Sequence, residues 1–140
     1  AGPMAWFYDE VWQHVHSSGL EEKVIFTGYV PKDDLPVLYS FAGVFAFPSL
    51  NEGFGMPLIE AMACGIPVLA SNLDSLNEVA GGAALMIDPY NVDEIANALY
   101  ILLTDEEIRR KYVTDGFSRA AGFSWKKTAE DTLRLYRELC

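Results

Sequence analysis

The chain has 140 residues, 51 % of them apolar, which suits one domain, residues 1–140, with a core of its own. Acidic residues outnumber basic ones 20 to 10 and the formal net charge is −10, which argues against a basic nucleic-acid-binding face. No apolar run approaches the roughly 20 residues needed to span a bilayer.

The start, Ala1 to Trp6, lacks the basic stretch of a secretory signal. Gly2-Pro3 reads as a loop after a strand that precedes the chain. An amphipathic helix is expected from about Trp6 to Ser18, with Phe7, Val11 and Val15 on one stripe and Gly19 as its stop. His14 and His16 are two apart and point to different faces, so metal binding is not expected there. Val24 to Thr27 reads as a short strand ending at Gly28. Asp33, Asp34 and Pro36 signal a helix start, with Leu35, Leu38, Tyr39 and Ala42 turned inward.

Val44 to Phe47 is continuously apolar, the pattern of a parallel strand covered on both faces. A helix is expected from Pro57 to Cys64, a second buried strand from Pro67 to Ala70, and a short helix from about Asp74 to Val79. Gly81-Gly82 breaks the chain before a strand from Ala84 to Ile87. Asn91 opens a helix that turns Ile95, Leu99 and Leu102 inward. Thr104 to Glu107 fits a capping box for the next one, and Ser124 caps a last helix to about Leu139. Alternation of this kind predicts an α/β fold: a Rossmann-like parallel sheet with helices on both faces and a helical C-terminal tail. The two cysteines, Cys64 and Cys140, form no disulfide or metal pattern; Cys64 reads as a small core residue, and a reducing, cytoplasmic setting fits.

The chemistry concentrates between the strand of Phe45 and Phe47 and the helix of Pro57. There Glu52-Gly53-Phe54-Gly55-Met56-Pro57-Leu58-Ile59-Glu60 places a carboxylate before a glycine-rich turn and another one turn into a helix. Ligands of parallel sheets bind beyond the carboxyl ends of the strands, where this loop lies. Helical side chains lean toward the N-terminus, so Glu60 looks back to the mouth of the turn, and a carboxylate suits the vicinal diol of a ribose. Gly53 and Gly55 let backbone N–H groups approach phosphate or sugar oxygens. Glu52 can reach the sugar end and stabilise positive charge as a glycosidic bond breaks. The plainer alternatives are a structural turn, a Glu60 that only complements the helix dipole, and a solvated Glu52.

The run from Glu52 to Val68 resembles the E-x7-E signature of retaining family-4 glycosyltransferases, including the following Ala61-Met62-Ala63-Cys64-Gly65-Ile66-Pro67-Val68. Val24 to Pro31, Leu35 to Tyr39, Phe47-Pro48-Ser49 and Phe123-Ser124-Trp125 are similar to other blocks of that family in the same order. The beginning of the chain is similar to bacterial mannosyltransferase-like members. The resemblance implies the GT-B architecture, two Rossmann-like domains with the active site between them. This chain would be most of the donor-binding C-terminal domain, without its first strand, helix and second strand.

By position, the resemblance makes Glu60 the ligand of the donor ribose and Glu52 the catalytic contact to the donor sugar. Gly53, Phe54, Gly55 and Met56 would meet sugar hydroxyls and phosphate, and Gly28, Tyr29 and Val30 would lie near the nucleobase. No metal or cofactor is implied. The donor is a nucleotide-sugar, with GDP-mannose favoured. The acceptor, a glycan or lipid-linked sugar, would be bound by the missing N-terminal domain, and the whole enzyme would be cytoplasmic or peripheral at the inner face of the membrane. The family's phosphate-gripping arginine and lysine have no counterpart here, and Asn77 stands where proline is common, with little expected consequence.

The chain alone is expected to be inactive and to self-associate through exposed edges and apolar faces. At least half of Trp125, Leu133, Tyr136 and Leu139 are expected to pack on the chain's own sheet, and the rest against the other domain. Three other functions compete with the transferase reading: a non-catalytic nucleotide- or sugar-binding module of this fold, a sugar-nucleotide epimerase, and a structural domain.

Overall fold

The computed structural model describes residues 8–139. The chain divides into two compact units, Ala1–Leu35 and Pro36–Cys140.

In the first unit, helix α1 (Tyr8–Ser17) carries Asp9 and Glu10 in its first turn and His14 and His16 in its last, the polarity that suits a helix dipole. Gly19, at φ 65°, turns the chain out of it, and the Leu20 N–H donates to the Val15 carbonyl. The Trp12 ring stacks on His16, whose Nδ1 lies 2.6 Å from Glu21 Oε1. No cluster of three or more His, Cys, Asp or Glu side chains able to hold a metal occurs among the described residues. Trp6, Phe7 and the expected loop at Gly2-Pro3 lie outside those residues. Val11, expected on the inner stripe, is exposed.

The expected strand at Val24–Thr27 does not form: residues 24–28 are irregular, and Ile25 is 83 % exposed. β-propensity describes fit to a pleated, half-buried surface. With no strand alongside, an apolar run has no ladder to join.

The second unit is built on a three-stranded parallel sheet in the order β1 (Phe45–Phe47), β2 (Val68–Ser71), β3 (Leu85–Ile87). Around it lie α2 (Leu35–Ser40, which begins on the last residue of the first unit), α3 (Met56–Ala63), α4 (Asp74–Ala80), α5 (Val92–Thr104), α6 (Glu106–Ala120) and α7 (Trp125–Leu139). Ala46, Leu69 and Leu85 share one row of the sheet, and Phe47, Ala70 and Met86 the next. Period-two alternation then sends successive residues of β2 to opposite faces. Val68 and Ala70 meet Leu58, Ala61 and Met62 of α3 and Leu76 and Ala80 of α4. Leu69 and Ile87 meet Ala98 and Leu102 of α5 on the other side, joined by Ile108 and Tyr112 of α6. Helices thus cover both faces, as the alternating pattern predicts.

Glycine sets the approach of α6 to α3. A Cβ on buried Gly116 would lie 3.2 Å from Met62 Cγ, and one on Gly65, at φ 76°, would lie 2.5 Å from Phe117 Cζ. No helix among the described residues is long and apolar enough to cross a membrane.

Several expectations change in detail. Ala46 is exposed: β1 is an edge strand among the described residues, and the apolar cluster on the Leu69 face does not extend over it. Leu38 is 42 % exposed, since the six-residue α2 turns only Leu35, Tyr39 and the following Ala42 partly inward. Cys64 is half-buried rather than core. The cap of α6 is Asp105, which accepts from the N–H groups of Glu107 and Ile108, while the Thr104 hydroxyl turns back to the Tyr100 carbonyl. Ser124 caps α7 through the Lys127 N–H, as expected. None of the named apolar residues of α7 is buried: Trp125, Leu133, Tyr136 and Leu139 are all exposed. The two clusters packed on the sheet draw on residues of α3–α6 and include none from α7.

Leu102 is fully buried against β2 and β3. Leu102→Ala is expected to destabilise the fold by about 2–5 kcal/mol through lost transfer energy and a residual cavity, measured by urea denaturation.

Candidate active site at the carboxyl end of the sheet

β1 ends at Phe47, and the chain turns through residues 48–55 before α3 begins. The turn cannot be straightened. Gly55, the residue before α3, sits at φ 96°, in the left-handed region that glycine alone adopts freely. A Cβ there would also lie 2.6 Å from Leu76 Cδ2 of α4. Gly53 differs: nothing lies within 4 Å of where its Cβ would be. The two glycines were expected to serve one purpose, close approach of a ligand. Only Gly53 leaves open space, while the space beside Gly55 is filled by the protein's own leucine.

Glu52 is half-buried and doubly engaged. Its carbonyl accepts from the Ser75 hydroxyl of α4 at 2.6 Å, a partly buried bond across 23 residues of chain. Its carboxylate Oε1 accepts from the N–H groups of Gly53 at 3.2 Å and Phe54 at 3.5 Å. The backbone donors expected to meet a ligand therefore already face an anionic oxygen. Gly55 contributes no side-chain cap to α3, whose N-terminal N–H groups point toward the same turn.

α3 starts at Met56, so Pro57 is its second residue and Glu60 its fifth. Glu60 lies past the first turn, which contains no acidic residue, and a role limited to the helix dipole is correspondingly weak. Its Oε2 accepts from the Tyr39 hydroxyl of α2 at 3.3 Å. Tyr39 also packs edge-on against Phe45 of β1. Burial, reinforced by the Glu60 charge and hydrogen bond, pushes the Tyr39 phenol up to about 12. Burial and then Glu60 also raise the Cys64 thiol one turn further along α3, against a lowering contact from Ser40.

The two glutamates thus stand at either end of the turn on separate supports, Glu52 held through its carbonyl by α4 and Glu60 through its carboxylate by α2. Phe54 and Met56 face elsewhere: with Ile59, Phe123, Trp125 and Thr128 they line an apolar hollow of about 450 Å³. Phe54 meets Phe123 edge-on, and the Arg119 guanidinium lies 4.9 Å from the Phe123 ring centre. Arg119 in turn donates to the carbonyls of Val79 (2.7 Å) and Glu78 (2.5 Å), closing the C-terminal end of α4. Gly28, Tyr29 and Val30 belong to the first unit, where Gly28 has φ 65° and Tyr29 is exposed; their assignment to a nucleobase rests on the resemblance alone.

A profile described as glycosyl transferases group 1 matches residues 8–119, most of the chain and the whole of this turn. The chain belongs to the group 1 glycosyltransferases. It is 41 % identical over 139 residues to the O-antigen chain mannosyltransferase B of Escherichia coli, covering 99 % of this chain and 36 % of that protein. Among solved structures it is similar to a sucrose-phosphate synthase from Thermosynechococcus elongatus (TM-score 0.86, 33 % identity, 94 % of this chain and 34 % of that one). It is also similar to the Anabaena protein HepE, solved in complex with UDP-glucose (TM-score 0.75, 26 % identity, 81 % of this chain and 32 % of that one). The chain spans about one third of the length of each. Its parallel sheet and flanking helices are the α/β arrangement of the C-terminal domain of GT-B glycosyltransferases.

Tyr39, Ser75, Leu76 and Arg119 escaped the sequence reading as site residues of this glycosyltransferase domain. Tyr39 lies 21 residues from Glu60 and Ser75 lies 23 from Glu52, and no local spacing links them. The departure at Asn77 has a structural counterpart. Its N–H donates to the Leu73 carbonyl at 2.8 Å and its side chain to Asn72 Oδ1 at 2.7 Å; a proline there would forfeit the first bond.

Gly55→Ala is expected to destabilise the domain by about 1–3 kcal/mol, because both φ and Leu76 oppose a Cβ. Gly53→Ala should stay within about 0.5 kcal/mol; paired denaturation curves test the contrast. The raised Tyr39 pKa means the folded state retains a proton that the unfolded state loses first. Its stabilising contribution is complete below pH 10 and is lost as pH rises from 10 to about 12. Tyr39→Phe should flatten that part of the stability profile and remove from an absorbance titration the phenolate that forms near pH 12.

Proposed function

We propose that this domain binds the nucleotide-sugar donor of a retaining hexosyltransferase. Mannose is the favoured sugar and GDP the favoured nucleotide, and the acceptor is a glycan or lipid-linked sugar held by another domain. The observation that carries the reading is the pair of glutamates at the two ends of one tight turn, at the carboxyl end of a parallel strand, Glu52 held at its backbone carbonyl by the Ser75 hydroxyl and Glu60 at its carboxylate by the Tyr39 hydroxyl. The similarity to a mannosyltransferase supports the choice of sugar, and the UDP-glucose complex of a related fold supports the donor class.

In this reading Glu60 offers Oε1 to a ribose hydroxyl, while Oε2 stays with Tyr39. The N–H groups of Gly53 and Phe54 exchange the Glu52 carboxylate for donor oxygens, and the N-terminus of α3 adds its dipole toward phosphate. Glu52, released from its own loop, lies against the sugar and stabilises the positive charge that develops at C1. The C1–O bond to phosphate breaks with its electron pair on the leaving phosphate. The acceptor oxygen bonds C1 from the same face, and its proton passes to that phosphate. Protein groups are expected to offset the pyrophosphate charge without a bound cation, with no cofactor. The backbone of Gly55 and Met56 supplies the remaining donor contacts within this unit. The isolated chain should transfer little, because a cleft needs two walls.

In the whole protein, Glu52→Ala should lower turnover by about a hundredfold or more while leaving donor affinity nearly intact. Glu60→Ala should weaken donor binding by about tenfold or more, the effect of losing a charge-assisted hydrogen bond. Steady-state kinetics and calorimetric titration with GDP, UDP and their sugar conjugates check both. Unchanged turnover in Glu52→Ala would leave a non-catalytic binding module as the better reading.

A further inference from the structure

We infer that Ser75 is a positioning residue for Glu52, and that α4 as a whole is the brace that aims the Glu52 carboxylate. The inference rests on the catalytic reading of Glu52 given above, and its evidence lies in the contacts of α4.

α4 touches the turn at two neighbouring points. The Ser75 hydroxyl donates to the Glu52 carbonyl at 2.6 Å, and Leu76 occupies the space that a side chain on residue 55 would need. The backbone is thereby fixed on both sides of Gly53-Phe54, the pair whose N–H groups face the Glu52 carboxylate. A Ser in a helix can turn its hydroxyl back to its own backbone. Ser75 instead spends its donor on a residue 23 positions away, in a partly buried contact. The other end of α4 is tied as firmly. Arg119 takes the Val79 and Glu78 carbonyls, and a Cβ on Gly81, at φ 55°, would lie 2.9 Å from Arg119 Nε. A short helix held at its far end makes a fixed support for the near one.

Glutamate has three rotatable bonds between its backbone and its carboxylate. Fixing the Glu52 carbonyl fixes the root of that lever. Small errors there become larger ones at the carboxylate, and misplacement by about 1 Å can cost two orders of magnitude in rate. Removing the Ser75 hydroxyl should therefore alter turnover more than donor binding, which rests chiefly on Glu60 and the N-terminus of α3 and only in part on the Gly53 and Phe54 N–H groups. Threonine keeps a hydroxyl on Cβ and should restore the bond.

The test uses the whole protein with Ser75→Ala, Ser75→Thr, Glu52→Ala and the double variant Glu52→Ala/Ser75→Ala. Ser75→Ala is expected to lower kcat by about tenfold or more with donor KM changed less than about twofold, and Ser75→Thr to recover most of the loss. In the Glu52→Ala background, Ser75→Ala should cost nothing further, because the residue it positions is gone. Amide exchange at residues 51–54 should quicken in Ser75→Ala and return to normal in Ser75→Thr. A folded Ser75→Ala protein with normal kcat overturns the inference, as does an equal loss in both Glu52 backgrounds. The exchange measurement separates this from failure of the catalytic reading. If Glu52→Ala itself turns over normally, the catalytic reading fails; quickened exchange in Ser75→Ala would still uphold the brace, and unchanged exchange would overturn it.

Discussion

Four consecutive residues of β2, Val68 to Ser71, are withdrawn from water on both faces. A strand so placed must send its N–H and C=O groups to neighbours, because an unpaired backbone group in a dry interior costs about as much as a lost hydrogen bond. β1 and β3 supply those partners in parallel register. Parallel pairing requires a crossover between strands, and each crossover here delivers a helix to the sheet. α3 and α4 both reach the same face by this route, which brings the turn before α3 and the N-terminus of α4 side by side. The site is a consequence of that neighbourhood.

The two acidic residues of the turn are held in different ways. Glu52 is anchored by its backbone and leaves a swinging side chain, whose carboxylate rests on the N–H groups that a phosphate or sugar oxygen would use. Glu60 is anchored through its side chain, with one carboxylate oxygen bound by the Tyr39 hydroxyl. A group that must follow charge as it develops benefits from a fixed root and a free tip. A group that only recognises a diol benefits from a fixed tip. In the proposed reading, the same residue type serves two tasks by where it is held.

The acidity of the chain does not conflict with an anionic ligand. The formal charge of −10 is a property of the whole surface and is screened within about 8–10 Å at physiological salt. Backbone N–H groups and a helix N-terminus act within one turn of the ligand. In the proposed reading a local dipole therefore decides what binds in the turn, while the net charge affects solubility and encounter.

The sequence by itself determined the alternation of strands and helices, the position of the turn at a strand's carboxyl end, and the glycines and carboxylates within it. These are local matters: apolar runs, capping residues and left-handed glycines act over a few residues and are written in the order of the chain. It did not determine which runs pair. Val24 to Thr27 has the composition of a strand and lacks the ladder, and the apolar residues of α7 have the pattern of a buried stripe and lie on a surface. Tertiary structure alone decided that Leu76 fills the space beside Gly55, that Ser75 holds the Glu52 carbonyl and Tyr39 the Glu60 carboxylate, and that Arg119 secures the far end of α4. Each of those contacts joins residues 20 or more positions apart, so its geometry exists only once the sheet has fixed where the helices stand.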